Sequence, residues 1–314
     1  MSEMTKNNKI LNIISKNALL FVFVALCVFF ALVSDSFLTV ANLTDVVRTN
    51  SISGLLAVGL TYVILAGGID LSVESVVALS GLVAGYLSGN PLLAVTAGLG
   101  IGVIFGLFNG VVLVRTGVQP FIFTLAMNRL IRGIILIFTK GFNLYDINDN
   151  FKKISRSSIG PFPTPIIIFI IIVAVTYLLL NRAKYGRYIY AVGSNEDAAR
   201  LSGIQTKKIR ISAYLVSGVF AALAGIMLTA RVASAETNAA EGWSLDAISA
   251  VIIGGTSLKG GQGGILYTLL GVFILAILNN GMVLINVPSN YLQFVKGILM
   301  IFAILLDRNS NEKR

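Results

Sequence analysis

The chain contains no histidine and a single cysteine, and only 12% of its 314 residues are charged. Without histidine there is no imidazole for acid–base chemistry or for a metal site, and no bound metal is expected. Cys27 stands alone in an apolar run, so no intrachain disulfide forms. Soluble domains carry about a quarter charged residues. A domain this poor in charge could not cover its own core. That shortage excludes a soluble enzyme and a disordered chain. The net charge of +10 does not advertise nucleic acid either, because the basic residues sit mostly between apolar segments. In a membrane protein such residues set orientation. Two phosphate-cradling patterns are missing too: neither G-x-x-x-x-G-K-[ST] nor G-x-G-x-x-G occurs. The chain therefore has no visible energy source or cofactor loop of its own.

What the chain has instead is apolar length. Hydrophobic residues make up 56% and the mean hydropathy is +0.86. A bilayer core of roughly 30 Å takes about 20 apolar residues per helix. Ten segments qualify: 18–34, 51–67, 72–88, 92–114, 119–139, 164–180, 212–230, 244–256, 264–285 and 291–306. The eighth is short and ends in glycines, as a half-helix within the bundle would. This predicts an all-α polytopic membrane protein forming one domain over 1–314, since no hydrophilic stretch is long enough for another. The first segment follows Lys6, Lys9 and Lys16 but has too long an apolar core for a cleavable signal, so it is expected to be retained.

Seven basic residues lie in the loop 181–212, namely Arg182, Lys184, Arg187, Arg200, Lys207, Lys208 and Arg210, against Glu196 and Asp197. The positive-inside rule makes this loop cytoplasmic, and ten spans then put both termini inside. The loop 140–163, with Lys140, Lys152, Lys153 and Arg156, is the main exception. Gly98, Gly102, Gly106 and Gly110 recur every four residues, as do Ala213, Ser217, Ala221, Gly225 and Thr229. Such rows let membrane helices pack backbone to backbone.

Three segments could carry function. Ser194 to Ile204 (SNEDAARLSGI) reads as a short helix capped by Ser194 or Asn195, with Asp197 three residues after Ser194 as in a capping box. Glu196 and Asp197 suit its positive N-terminus, and Gly203 suits its stop after Ser202. Ala198, Leu201 and Ile204 form an apolar stripe beside Ala199. So short a helix needs a surface to dock on. That surface is either the membrane interface or a groove on a cytoplasmic partner, and the residues alone leave both open. The second segment is Gly67-Gly68-Ile69-Asp70-Leu71-Ser72-Val73-Glu74. A helix starting at Asp70 would place both carboxylates on one face near its first turn, either as cap and dipole partners or beside a translocation path. In the third, Asp246 precedes a run holding Gly254, Gly255, Gly260 and Gly261, where irregular backbone either lines a polar cavity or simply turns. Asn109, Asn128, Arg129, Arg132, Asn279, Asn280 and Lys296 lie inside spans and must face the bundle or snorkel. Arg132 needs a partner, and Lys296 is expected to pair with another span in preference to Asp307.

Together these segments resemble the permease subunit of ribose-type sugar ABC importers. The resemblance is carried by GGIDLSVES at 67–75, AVGSNEDAARLSGI at 191–204, LDAISAVIIGGTSLKGGQGG at 245–264 and the stretch 296–308 ending in LLDR. It implies a type II importer permease fold of about ten helices, with two permease copies around a shared path in a bacterial cytoplasmic membrane. It implies ATPase subunits, which use ATP and Mg, docking on the Ser194–Ile204 helix. It also implies an extracytoplasmic binding protein that delivers a monosaccharide, and transport by alternating access without covalent chemistry. On that view, bulk or reversed charge at Ala199 or Gly203 uncouples the complex. Similar permeases carry pentoses, hexoses or autoinducer-2, and related ones carry nucleosides or branched-chain amino acids. The family typically has glycine where this chain has Glu74. A self-sufficient carrier is the competing reading; it would place paired acids at mid-membrane, and Asp70 with Glu74, the only acidic pair near enough, lies at a helix end, which argues against it.

Overall fold

The computed structural model describes residues 18–288, 290–298, 300 and 301. The basic residues at 6, 9 and 16, Asp307, and the end of the tenth expected span lie outside the described residues. The helices in chain order are α1 (Ala18–Val33), α2 (Val40–Leu65), α3 (Val73–Tyr86), α4 (Pro91–Thr116), α5 (Pro120–Thr139), α6 (Asp149–Arg156), α7 (Thr164–Asn181), α8 (Lys184–Ser194), α9 (Glu196–Leu201), α10 (Thr206–Val232), α11 (Trp243–Ile253) and α12 (Ile265–Leu284). Residues 290–298 are helical again. The fold is not helical throughout: strands β1 (Ser158–Ile159) and β2 (Phe162–Pro163) form a small antiparallel hairpin.

Among the described residues, six helices are long and apolar enough to cross a membrane: α2, α4, α5, α7, α10 and α12. The apolar α1, α3 and α11 are shorter. With 11 residues, α11 covers about 16 Å, roughly half a bilayer core. Two long helices start earlier than their apolar runs. The first turns of α2 hold Asn42, Asp45, Arg48 and Asn50, and α10 begins on Thr206-Lys207-Lys208. Partners elsewhere in the fold hold the polar start of α2. Arg231 donates to Asp45 at 3.1 Å and to Thr49 at 2.7 Å, and Arg48 donates to the Ser155 carbonyl.

At the centre runs α10, packed against α2, α3 and α4. A Cβ on Gly102 would meet the Gly218 carbonyl, one on Gly106 the Tyr214 carbonyl, and one on Gly110 the Ile211 backbone. On another side of α10, Gly225 abuts the Val77 carbonyl of α3, and Gly59 of α2 abuts Ser217. Large apolar side chains such as Ile104, Leu130, Ile137 and Ile170 point outward from α4, α5 and α7. This is the surface that a surrounding lipid phase requires.

A separate contact ties α2 to α12. The Asn42 and Asn280 carboxamides donate to each other's oxygens at 3.0 and 2.8 Å. Replacing Asn280 with Ala leaves Asn42 half-satisfied. The expected cost is about 1 kcal/mol, as for interhelical hydrogen bonds in membranes, read as a lower unfolding midpoint in detergent.

Candidate functional site

The segment 181–212 folds as α8, α9 and the start of α10. Asn195 caps α9, its Oδ1 accepting the Ala198 N–H at 2.9 Å. Ser194 does not cap; it closes α8. Asp197 does not complete a capping box and instead pairs with Arg200 at 2.8 Å, while Glu196 receives Arg210 at 3.0 Å. The helix stops as its sequence requires. Gly203 has φ +81°, and the Gly203 and Ile204 N–H groups reach back to the Arg200 and Ala199 carbonyls. This is a Schellman closure. Ala198 and Ser202 are exposed, Ile204 is partly exposed, and Leu201 is 86% exposed. Ala199 points inward and is buried. Bulk at Ala199 would therefore disturb packing, and a side chain at Gly203 would strain the turn. Leu201 is the position that addresses the outward face.

Directly behind α9 lies a junction of three backbones. The Gly261 N–H donates to the Leu65 carbonyl at 2.9 Å. Gly193, at the end of α8, sits against both atoms, so a Cβ there would meet the Leu65 oxygen and the Gly261 nitrogen. Gly260 and Gly261 have φ of +87° and +70°, and Gly260 abuts Gly67 at φ +77°. The glycine-rich loop thus touches the segment leading into α9 and the Gly67 turn at once. Of its other glycines, Gly254 lies against the Tyr267 carbonyl, whereas Gly255 has open space around it and serves the turn at φ +86°. Gly68 leaves room only for the Tyr214 ring.

From that turn, residues 67–72 climb along α10. Asp70 lies before α3, so it does not share a helix face with Glu74. Its buried carboxylate accepts the Ser72 N–H at 3.0 Å, the Ser72 hydroxyl at 2.6 Å and the Ser217 hydroxyl at 3.5 Å. Asn109 of α4 donates to Ser72 at 2.8 Å. Asp70 therefore pins an extended segment against α10 through Ser217, while its other two hydrogen bonds stay within its own turn at Ser72.

Glu74 behaves differently. Its Oε1 accepts from Asn128 of α5 at 2.8 Å. Its Oε2 accepts the Gly242 N–H, the Ser244 N–H and the Ser244 hydroxyl at 3.0, 3.2 and 2.8 Å. One carboxylate thus sits in the first turn of α3 and against the N-terminus of α11. Both helix ends carry positive partial charge, and free N–H groups there favour an anion. Arg132, one turn along α5, donates to the Thr237 and Ala239 carbonyls at 2.8 and 2.7 Å. Arg132 thereby holds the chain entering α11 from one side, and Glu74, itself held by Asn128, holds it from another.

Beyond Glu74, the start of α11 borders three cavities of about 190, 340 and 490 Å³. Trp243 lines the first two, and Asp246 and Lys296 line the first and third. Lys296 pairs with Asp246 at 2.7 Å, so its partner is indeed on another helix. Asn279 faces the first cavity, whereas Asn280 turns to Asn42. Among the residues singled out from sequence, Glu74 with Asn128 and Asp70 with Ser72 and Asn109 come together. Gly193, Trp243, Ser244 and Asn50 were not singled out. Trp243 follows the αL turn at Gly242, where an isolated glycine was the only available signal.

Six apolar helices long enough to cross a membrane, with a buried carboxylate set between two helix N-termini inside the bundle, define a multi-pass membrane protein. The comparisons are more specific. The family described as branched-chain amino acid transport system / permease component matches residues 42–304, and the chain belongs to it. The ribose import permease protein RbsC of Escherichia coli (strain K12) is 43% identical over 298 residues, covering 90% of this chain and 92% of that protein. RbsC of Bacillus subtilis (strain 168) is 41% identical, covering 91% of this chain and 90% of its own length. The D-allose transport system permease protein AlsC of E. coli is 37% identical, covering 91% and 89%. No solved structure matches the chain.

Proposed function

We propose that this chain is the membrane-spanning subunit of an ATP-driven importer for a ribose-like monosaccharide. The observation that carries the reading is 43% identity to a ribose import permease over nine-tenths of both chains. The absence of any phosphate-cradling loop in the sequence leaves ATP and Mg to a separate ATPase subunit. The helix α9 supports a docking role, because its cap, closure and buried Ala199 fix it in place while Leu201 is offered outward. The seven basic residues around it favour the cytoplasmic side, with both termini there and ten crossings of a bacterial cytoplasmic membrane. A second copy of the chain and an extracytoplasmic binding protein complete the machine. The permease does no covalent chemistry. Its work is alternating access, in which closure of the ATPases moves α9 and the junction behind it passes that movement to the Gly67 turn.

Leu201→Glu tests the reading. The substitution is on the surface and leaves the fold intact. It weakens capture of the cognate ATPase by at least about tenfold, as removal of an apolar anchor does, and sugar uptake into proteoliposomes falls with it. ATPase capture and uptake equal to the parent would reject this docking role.

A further inference from the structure

We infer that the cavity between α2, α11, α12 and the last helix is a binding subsite for an uncharged polyol, with Trp243 as its face and Asn279 as its specificity-determining contact. The inference deepens the importer reading and depends on it. Three polar groups in this cavity have no hydrogen-bond partner among the described residues: the Ser53 hydroxyl, the Trp243 indole N–H and the whole Asn279 carboxamide. The Asn50 amide nitrogen is engaged by the Val46 carbonyl, which leaves its oxygen open as well. Unmet groups on membrane helices are costly unless water or a ligand meets them. The space is about 190 Å³, room for several waters at about 30 Å³ each and hence for a small sugar.

The charges say which kind of ligand fits. Asp246 and Lys296 are the charged side chains lining the cavity, and they satisfy each other at 2.7 Å. A cation would have to displace Lys296, and an anion would have to displace Asp246. An amino-acid zwitterion would have to split the pair. A neutral ligand need do none of these. It meets amide and hydroxyl groups that both donate and accept, which is the pattern a ring of hydroxyls requires. The indole supplies a flat apolar surface for the C–H side of such a ring.

Trp243 is the single tryptophan of the chain, so its emission reports on the two cavities it lines, and Asn279, which lines only the first, tells them apart. D-ribose titrated into the full-length chain in detergent micelles is expected to change that emission saturably. Asn279→Ala is expected to raise the half-saturating concentration about tenfold, the effect of a lost ligand hydrogen bond. In the importer reassembled with its ATPase and binding protein, uptake of labelled D-ribose falls by a similar factor. Ser53→Ala, a smaller change, serves if Asn279→Ala does not purify as a folded chain, and is expected to shift the curve in the same direction. An emission that does not respond, or identical curves for parent and variant, overturns the subsite. Sugar uptake by the parent assembly together with unresponsive emission discards the subsite and leaves the importer reading standing. No uptake of any monosaccharide by the parent assembly brings down the importer reading itself.

Discussion

Gly193→Ala is expected to abolish coupled transport. The added methyl enters the hydrogen bond that the Gly261 N–H makes to the Leu65 carbonyl, touching donor and acceptor together. Both neighbours are backbone and neither can swing aside, so α8 must shift away from the end of α2. Overpacking of this kind costs about 1–3 kcal/mol. The functional loss is larger, because α8 leads directly into α9 and Gly260 leads directly to the Gly67 turn. The variant complex is expected to hydrolyse ATP while moving less than about a tenth of the parent's sugar per ATP, equivalent to a lost coupling of about 1.4 kcal/mol or more. Gly133→Ala is the control. No atom lies within 4 Å of the Cβ it would carry, and it sits inside α5. Alanine there favours the helix by up to about 1 kcal/mol. Unchanged sugar-to-ATP stoichiometry in Gly193→Ala would show that the junction carries no motion.

Glu74→Ala is expected to be the most destabilising single truncation on α3. It strands two backbone N–H groups of α11, the Ser244 hydroxyl and the Asn128 amide in a buried place. Hydrogen bonds to a charged group are worth about 1.5–3 kcal/mol each, and loss of a buried charged partner costs about 3–5 kcal/mol overall. Glu74→Gln separates charge from geometry. Its amide oxygen can take the Gly242 and Ser244 donors. Its amide nitrogen can donate to the Asn128 Oδ1, a buried atom that now lacks a hydrogen-bond partner, once that carboxamide flips. The glutamine variant should therefore fall within about 1 kcal/mol of the parent. Thermal unfolding of the three purified chains in one detergent checks both. Equal losses for Ala and Gln would mean that the charge, set between two helix N-termini, is the essential property.

Much of this arrangement was legible before any coordinates. Apolar length gave the helical membrane fold, and the positions of α4, α5, α7 and α12 agree with their apolar runs to within two residues. Chain-local chemistry was legible too: Asn195 was one of two caps offered for α9, and Gly203 was its expected stop. What stayed hidden was contact between distant segments. The polar start of α2 reads as loop because nothing local shows Arg231 and Ser155 waiting to meet it. Glu74 reads as a residue serving its own helix, since the α11 N-terminus that it holds lies 168 residues away. Asp70 and Glu74 look like a pair on paper, yet a helix that starts at Val73 sends them to different partners. A sequence reports periodicity and caps directly, but the direction in which a side chain reaches depends on where helices cross.

The glycine rows along α4 and α10 have a mechanical consequence. Where Gly102 meets the Gly218 carbonyl and Gly225 meets the Val77 carbonyl, the contacts work like keys in a shaft. A helix keyed on several sides cannot creep lengthwise by small amounts. It would have to jump a full turn of about 5.4 Å, unseating all its keys at once. The slab of α2, α3, α4 and α10 therefore resists lengthwise sliding between its members, and a push delivered at the Gly67 turn would tilt it as one body.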